Sequence, residues 1–548
     1  MQANEEKIFN FRFLLFSAVY LALGIVFCYY HYFRSLHTAW LLCLPPAALF
    51  PAFLSLPSRR WRRVVVGSLL LCISFFVGFF GFQIEVNRYE DARSFGECYF
   101  SGRVVEMRDG ANGTQVILGD LTIEGEKQNC KLIAYLPASL EGEVGLSDEL
   151  FLRGEVTKKK FSYETFSLTA TDFGKRIFLS AREVEGEKIG HSFDLFLFLN
   201  GRAKSAIDAG MDDIPAAVTR AVLLGDTTGI DDGLYENIRQ GGISHIFAVS
   251  GLHVGSLFAF CLLLVKKTSL RRMGGGLRFT FVATILLTYA GVCAFTPSVV
   301  RATVICLFAY AGKLLLVKTD FLQSLGLVAI CILCVKPSAL FTVGFQLSFA
   351  ACFGIAFLSK PIGQVFDEGV KLYRKFVPIK LTEAEKQALE NDDTMPPRLS
   401  TRIYRAVSSF MATSLAAQLF TAPLLLQYFG YVSGWSLLLN CIFVPLIGIM
   451  FSWLFLFVLL ASILPTGLEV AALYLPNAVW SLLLLLFERF DFSSFALQGI
   501  TISSGMSMVY IAACLFFTDK WNLKKSTRLL LAGVCIFTFV AGMVALNV

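Results

Sequence analysis

The chain has 548 residues, of which 55% are hydrophobic and only 16% charged, with 53 Phe and a mean hydropathy of +0.64. That composition excludes an ordinary soluble globule. The formal charge of +7 matches Lys and Arg held back in cytoplasmic loops, and so is no argument for a nucleic-acid-binding protein.

Apolar runs recur at 11–30, 38–56, 64–83, 243–265, 277–295, 299–318, 321–336, 340–359, 403–427, 434–460, 466–487, 500–518 and 529–546. Each approaches the length needed to cross a hydrocarbon core of about 30 Å. They predict an α-helical polytopic membrane protein of about 11–13 transmembrane or re-entrant helices, with an inserted extracytoplasmic small all-β (OB-like) domain. The expected units are N-terminal spans over 1–83, the β domain over 84–190, amphipathic interfacial helices over 191–242, and a transmembrane domain over 243–548 with a cytoplasmic loop at 360–402. Arg59, Arg60, Arg62 and Arg63 follow the second run, Lys266, Lys267, Arg271 and Arg272 the fourth, and Lys520, Lys524, Lys525 and Arg528 precede the last. Basic loops stay inside, which puts the N-terminus in the cytoplasm and 84–242 outside a multi-pass cell membrane protein. The first run lacks a small-residue cleavage pattern and is read as a span rather than a cleaved signal. In the loop at 360–402, Thr382 and Glu385 are spaced as a capping box for a short surface helix.

Between 96 and 184 the sequence alternates and breaks at turns: CYFSGRVVEM, TQVILGDLTI, KLIAYLP, DELFLRGEV, FSLTATDF and RIFLSAREV. Five or so short strands, hence a small barrel, are expected. Lys158, Lys159 and Lys160 followed by Phe161, Tyr163 and Phe166 fit either a base-stacking surface or a strand edge with inward aromatics. Acids outnumber bases over 84–190, which opposes strong phosphate attraction. Of the 14 Cys, only Cys98 and Cys130 lie in this polar segment. With no His or second Cys pair beside them, they point to a disulfide rather than a metal site. Three short helices follow, with Pro215 in a first turn, Gly225 at an end, and Asp231 or Asp232 as a cap. The acids Asp226, Asp231, Asp232 and Glu236 are read as caps and a solvated face rather than a metal cluster, and no metal site or cofactor is expected.

The stretch SHIFAVSGLHVGS (244–256) carries a polar side at the mouth of an apolar run. On a helix Ser250, His253 and Ser256 share a face, and Gly251 with Gly255 forms a Gly-xxx-Gly packing pair. Arg301 lies just inside a run, and Gln346, Gln418 and Asn440 each sit on a polar helix face. Polar groups at membrane depth are costly unless they meet a partner or a hydrated path, so several such faces predict a hydrated interior.

The stretch LLGDTTGIDDGLYENIRQGGISHIFAVSGLHVG resembles the signature of the ComEC competence family of DNA-uptake channels, as do TPSVVRA (296–302), KPSALFTVGFQLSFAA (336–351), QLFTAPLLLQYFG (418–430) and NCIFVP (440–445), in that order. The resemblance implies an inner-membrane channel, not an enzyme, that passes single-stranded DNA into the cytoplasm during natural competence. It makes Asp226, Ser250, His253, Arg301, Gln346, Gln418 and Asn440 candidates for the DNA path, with Arg301 meeting a phosphate or pairing with an acid such as Asp226. Many members carry a metallo-β-lactamase-like domain with a His-x-His-x-Asp-His motif. Here His31, His37, His191, His245 and His253 form no such cluster and the chain ends at Val548, so a short form is expected. No G-xxxx-G-K-[ST] loop occurs. The implied partners are therefore DNA-uptake machinery, a separate nuclease, a cytoplasmic ATPase or helicase and membrane lipid, and a homo-oligomer is compatible with this. An exporter of a small molecule or lipid-linked glycan would use the same polar faces. A Ser250–His253 intramembrane hydrolase is disfavoured, since a dyad draws its base from another element.

Overall fold

The computed structural model describes residues 12–34, 59–110, 113–140, 144–162, 166–227, 229–247, 249–317, 320–376, 399–489, 496–498, 502–516, 518 and 525–547. The run at 38–56 and the capping-box helix at Thr382 lie outside them. Among the described residues seven helical segments are long and apolar enough to cross a membrane: Phe13–Phe33, Leu69–Asp91, Gly275–Val292, Pro297–Leu314, Val343–Phe366, Ala406–Phe429 and Ser436–Ile463. The chain is a multi-pass membrane protein.

Helices α1 (Phe13–Arg34) and α2 (Arg59–Asp91) lie side by side. Gly24 abuts Phe75 and Phe79, while further along Cys28 Sγ donates to Gln83 Oε1 at 3.3 Å, so the two advance in the same direction. Gly24 and Gly78 mark the crossing: a Cβ on either would strike a backbone carbonyl, of Phe75 or of Leu21 respectively. Missing side chains are what permit this approach. The 33 residues of α2 extend about 50 Å at 1.5 Å per residue, more than the hydrocarbon thickness, and lead directly into the β domain.

That domain is closed. Strand β1 (Gly96–Gly110) pairs antiparallel with both β2 (Gly113–Ile123) and β5 (Asp148–Lys158). Strand β2 also holds the two-residue β3 (Glu126–Lys127) and β4 (Lys131–Tyr135). Strand β6 (Ile177–His191) completes the circuit, parallel to β4 and antiparallel to β5. Alternate residues point inward, so Val104, Leu118, Leu132, Leu150, Leu152 and Leu179 are fully buried.

Two expectations for this domain are corrected, and one left open between two readings is decided. FSLTATDF is a helix, α3 (Phe166–Gly174), not a strand. Phe166, Ala170 and Phe173 fall at i, i+4 and i+7 and are all buried, a helical stripe. Of the two readings of the stretch beginning at Lys158, the described residues fit the strand edge with inward aromatics: Phe161 and Phe166 are buried, and Lys159 Nζ bonds Asp172 at 2.6 Å. Cys98 and Cys130 form no bridge; both are free, buried thiols. Cys98 faces Gly154 on β5, beyond the end of the β1–β2 ladder at Phe100↔Ile123, whereas Cys130 lies ahead of β4 on the far side of β2. Burial pushes the Cys130 thiol up to about 11.

Helix α3 is fixed to the barrel by ions. Asp172 receives Lys159 and also Arg108, at 3.3 Å, while Glu106 receives Arg108 at 2.9 Å and Lys175 at 2.6 Å. Burial alone would raise both acids, but these cations hold Glu106 and Asp172 below their ordinary values. On the other side α3 meets the bundle. The ring of Phe166 lies 5.1 Å from Tyr29 at the end of α1, and 5.5 Å from Phe341. Phe341 belongs to the single turn Pro337–Phe341, which joins α10 (Phe321–Val335) to α11 (Val343–Phe376).

After the barrel come α4 (Leu195–Gly210), α5 (Asp213–Leu224) and α6 (Asp232–Gln240). Asp194 caps α4 by accepting from Phe196 and Leu197 N–H, Asp231 caps α6 in the same way, and Gly225 ends α5 at φ +79. The expected interfacial position fails for α5, which is buried from Pro215 to Thr219 and from Ala221 to Leu223. Its Ala and Val side chains let it enter the bundle core.

The remaining helices are α7 (Gly251–Lys267), α8 (Gly275–Val292), α9 (Pro297–Leu314), then α10 and α11, α12 (Leu399–Phe429), α13 (Ser436–Ile463), α14 (Glu469–Arg489), α15 (Ser504–Phe516) and α16 (Lys525–Asn547). The run expected at 243–265 is helical only from Gly251. At 17 residues it covers about 25 Å at 1.5 Å per residue, short of a full crossing. Helix α10 runs alongside α1, with Arg12 paired to Asp320 at 2.9 Å and Gly326 against the backbone of Leu15. Helix α9 divides two apolar cores. Val300, Val304 and Ile305 pack toward the one containing α1 and the barrel, and Val299, Ala302 and Tyr310 toward the one containing α5, α7, α8 and α13.

Two outcomes follow. Gly78→Val should reduce the amount of membrane-inserted protein on an immunoblot several-fold, whereas Gly67→Val, on the same helix with nothing within 4 Å, should not. The stability that Glu106 and Asp172 lend the β domain should be complete above their ordinary values of 4.5 and 3.8. It should be lost as pH falls through the depressed ones; limited proteolysis of residues 96–191 across a pH series measures it.

Candidate functional site

The stretch from Ser244 opens as a single turn over Ser244–Ile246 and becomes extended at Ser250 (φ −124, ψ 171) before α7 begins. Ser250 is therefore the cap of α7 and not part of the helical face shared by His253 and Ser256. Its backbone N–H donates to His253 Nδ1 at 3.1 Å. That bond occupies the Nδ1 lone pair and leaves the ring proton on Nε2. His253 is fully buried, stacked on Phe451 with centroids 4.7 Å apart, and its Nε2 has no partner among the described residues. Ser250 and His253 thus meet through a backbone amide, an arrangement unlike a nucleophile–base dyad.

Arg301 sits in the second turn of α9 and is 9% exposed. A methyl on Gly251 would lie 3.4 Å from its Nη2, and its guanidinium carbon is 6.0 Å from the Phe349 ring centre. Nη1 has no hydrogen-bond partner among the described residues. Asp226 is not its counter-ion: that carboxylate is bound by Lys204 of α4 at 2.5 Å. Gly251 and His253 are two residues apart, so Arg301 and His253 flank different sides of the first turn of α7.

The other candidates separate into satisfied and unsatisfied groups. Gln346, one turn from Phe349, accepts from Tyr428 Oη at 2.7 Å and donates to Leu340 O at 3.2 Å. Gln418 donates to Ser414 Oγ at 3.1 Å. Asn440 is buried with its Oδ1 unpaired, as is Thr303 Oγ1, two residues beyond Arg301. Gly255 faces open space, so the expected Gly251–Gly255 packing pair has a close neighbour only at Gly251. No group of three His, Cys, Asp or Glu side chains suited to a metal occurs among the described residues.

Sequence reasoning passed over His245, placing it off the face of interest. It is exposed, whereas His253 is buried, and it lies within electrostatic reach of that residue. The available signal was its place eight residues ahead of His253 in the same polar stretch.

Among the described residues the interior around α7 therefore contains donors without acceptors: His253 Nε2–H on one side and Arg301 Nη1 on the other. Each buried unmade bond costs about 1–3 kcal/mol. A donor with no acceptor among the described residues, such as Arg301 Nη1, suits an oxyanion.

The family model described as Competence protein matches residues 222–524, more than half of the chain. Among curated proteins, the chain is 28% identical over 148 residues to ComE operon protein 3 of Bacillus subtilis, covering 27% of this chain and 19% of that protein. It is 30% identical over 139 residues to the uncharacterized protein MG316 of Mycoplasma genitalium and 32% identical over 139 residues to its homolog in Mycoplasma pneumoniae, each covering 25% of this chain and 34% of the relative. The aligned stretches thus span only a fifth to a third of these relatives. No solved structure matches. The matched region begins in α5 and contains His245, Ser250, His253 and Arg301, and the chain belongs to the Competence protein family.

Proposed function

We propose that this protein is the membrane channel through which single-stranded DNA enters the cytoplasm during natural competence. The observation that carries the reading is Arg301, a guanidinium buried between two cores with, among the described residues, an unpaired donor and no acid paired to it. An arginine at membrane depth costs about 2.5–3.5 kcal/mol on insertion scales, and a passing phosphodiester supplies the acceptor that Arg301 lacks. His245 and His253 extend the polar route, with Asn440, Gln346 and Gln418 on neighbouring helices.

The strand circuit β1–β2–β4–β6–β5–β1, with its one parallel pair, supports an OB-like reading of the barrel. The shared direction of α1, α2 and α10 supports an N-terminus in the cytoplasm, since all three then exit toward the barrel. With no nucleotide-binding loop in the sequence, the reading requires a separate ATPase or helicase for energy and a separate nuclease to yield the single strand.

Arg301→Gln should leave protein level largely intact, because no acid is stranded by the change, and should sharply reduce DNA entry. Arg301→Lys should keep part of the activity, retaining charge but losing the planar fork that grips phosphate. Uptake of labelled DNA per molecule of protein, both taken from the same cells, is the measurement. Normal uptake in a well-expressed Arg301→Gln strain overturns the assignment.

A further inference from the structure

A second concentration of cations lies outside the bundle, where the barrel rests on the turn Pro337–Phe341. A groove of about 450 Å³ is lined by Asp120, Lys127, Gln128, Asn129, Cys130, Lys131 and Arg176. Asp120 is spent on Arg103 at 3.0 Å, and Glu106 on Arg108 and Lys175. Lys127, Lys131 and Arg176 make no ion pair among the described residues, nor does Lys336, which lies within electrostatic reach of Lys131 and Lys175. Glu85 is also in reach of Lys336 and Arg176, but it gives an oxygen to Ser338 N–H at 2.9 Å. Arg176 and Lys336 thus share Glu85, while Lys131 lies within reach of Glu106 and Asp120 as well as of Lys175.

The backbone is bent to achieve this. Asp120 and Arg176 both line the groove, and both are non-glycine residues at positive φ, +50 and +59. Left-handed backbone at such residues is strained and persists where the surroundings impose it. The adjacent Gly174 carries no side chain where one would collide with Lys336 and Ser338. Lys131 is also crowded: burial, and then the charge of Lys175, bring its ammonium below the ordinary lysine value. Burial and like-charge crowding together are what an oxyanion would relieve.

We propose that this groove binds the phosphodiester backbone of a single nucleic-acid strand and hands it to the bundle at the turn holding Lys336. The lining is polar, with the Gln128 and Asn129 amides and no exposed apolar side chain, which favours a sugar–phosphate strand over a lipid with its acyl chains. The rest of the barrel surface is a poor rival. The exposed Tyr99–Phe151 stack, 5.7 Å between centroids, carries the Arg153 guanidinium over Tyr99. That cation is paired with Glu97 at 2.8 Å and faces Glu185 across the ladder, with Glu187 opposite Phe151, acids that repel phosphate. The proposal rests on the channel reading only for the identity of the strand.

The test uses the full chain in nanodiscs of zwitterionic lipid, with a fluorescent oligothymidine titrated over a salt series. Each phosphate contact on a single strand contributes about 0.7 to the slope of log affinity against log salt. The double variant Lys131→Gln/Arg176→Gln should therefore bind more weakly, with a slope flatter by about 1.4. Lys131→Arg/Arg176→Lys should restore it, which shows that charge at the groove and not a folding defect is read. An unchanged slope in the folded double variant overturns the site. So does loss of co-purified anionic lipid with oligothymidine binding intact, which would give the groove to a headgroup. Because binding to purified protein involves no transport, failure here leaves the Arg301 uptake result standing, and the reverse also holds.

Discussion

The extramembrane barrel and the membrane helices are held together by one aromatic joint. Tyr29, Phe166 and Phe341 come from α1, from the helix of the β domain and from the turn between α10 and α11, and their centroids lie 4.4–5.5 Å apart. Phe82 of α2 stacks against Phe173 at 6.1 Å and closes the ring. Aromatic pairs at these separations add about 0.5–1.5 kcal/mol each beyond the area they bury. The joint fixes where the cationic groove opens, because Arg176 and Lys175 directly follow α3. It also fixes where Lys336 stands, because Lys336 directly precedes the turn bearing Phe341.

The two concentrations of unpaired donors differ in kind. At the groove the cations are partly hydrated and their mutual repulsion is moderated by water. Inside the bundle, Arg301 and His253 have no such relief, and each orphaned donor there remains a cost to the folded state. Natural cores satisfy the great majority of buried polar groups; among the described residues the unpaired atoms run from Ser17 to Trp480, and those of His253, Arg301 and Thr303 are the ones near the start of α7.

Much of this was legible in the sequence, for reasons that are local. Caps are read from one residue and its next three neighbours, and Asp231 at α6 and Gly225 at α5 follow that grammar. The apolar runs were equally plain, since length and composition alone define them. What failed required tertiary information. FSLTATDF alternates well enough to pass for a strand, and only the burial of Phe166, Ala170 and Phe173 on one side reveals its period. The start of α7 was misplaced because nothing in SHIFAVSGLHV announces that Ser250 would turn extended and lend its amide to His253. The alternative that paired Arg301 with Asp226 fails because Lys204, 22 residues earlier in sequence, comes from a helix whose position in the bundle no periodicity gives.

The contact between Arg12 and Asp320 has a consequence in time. The two residues are 308 positions apart, and a ribosome adding about 5–20 residues per second takes about 15–60 s to cover that distance. For that interval α1 is already made while its docking surface on α10, including Gly326, has yet to emerge. Helix α1 must wait in the membrane, with a nearly buried arginine at its start, for a partner synthesised only after the whole β domain. Assembly of the bundle is therefore a late event, and the barrel has every opportunity to fold before the helices that will carry it are in place.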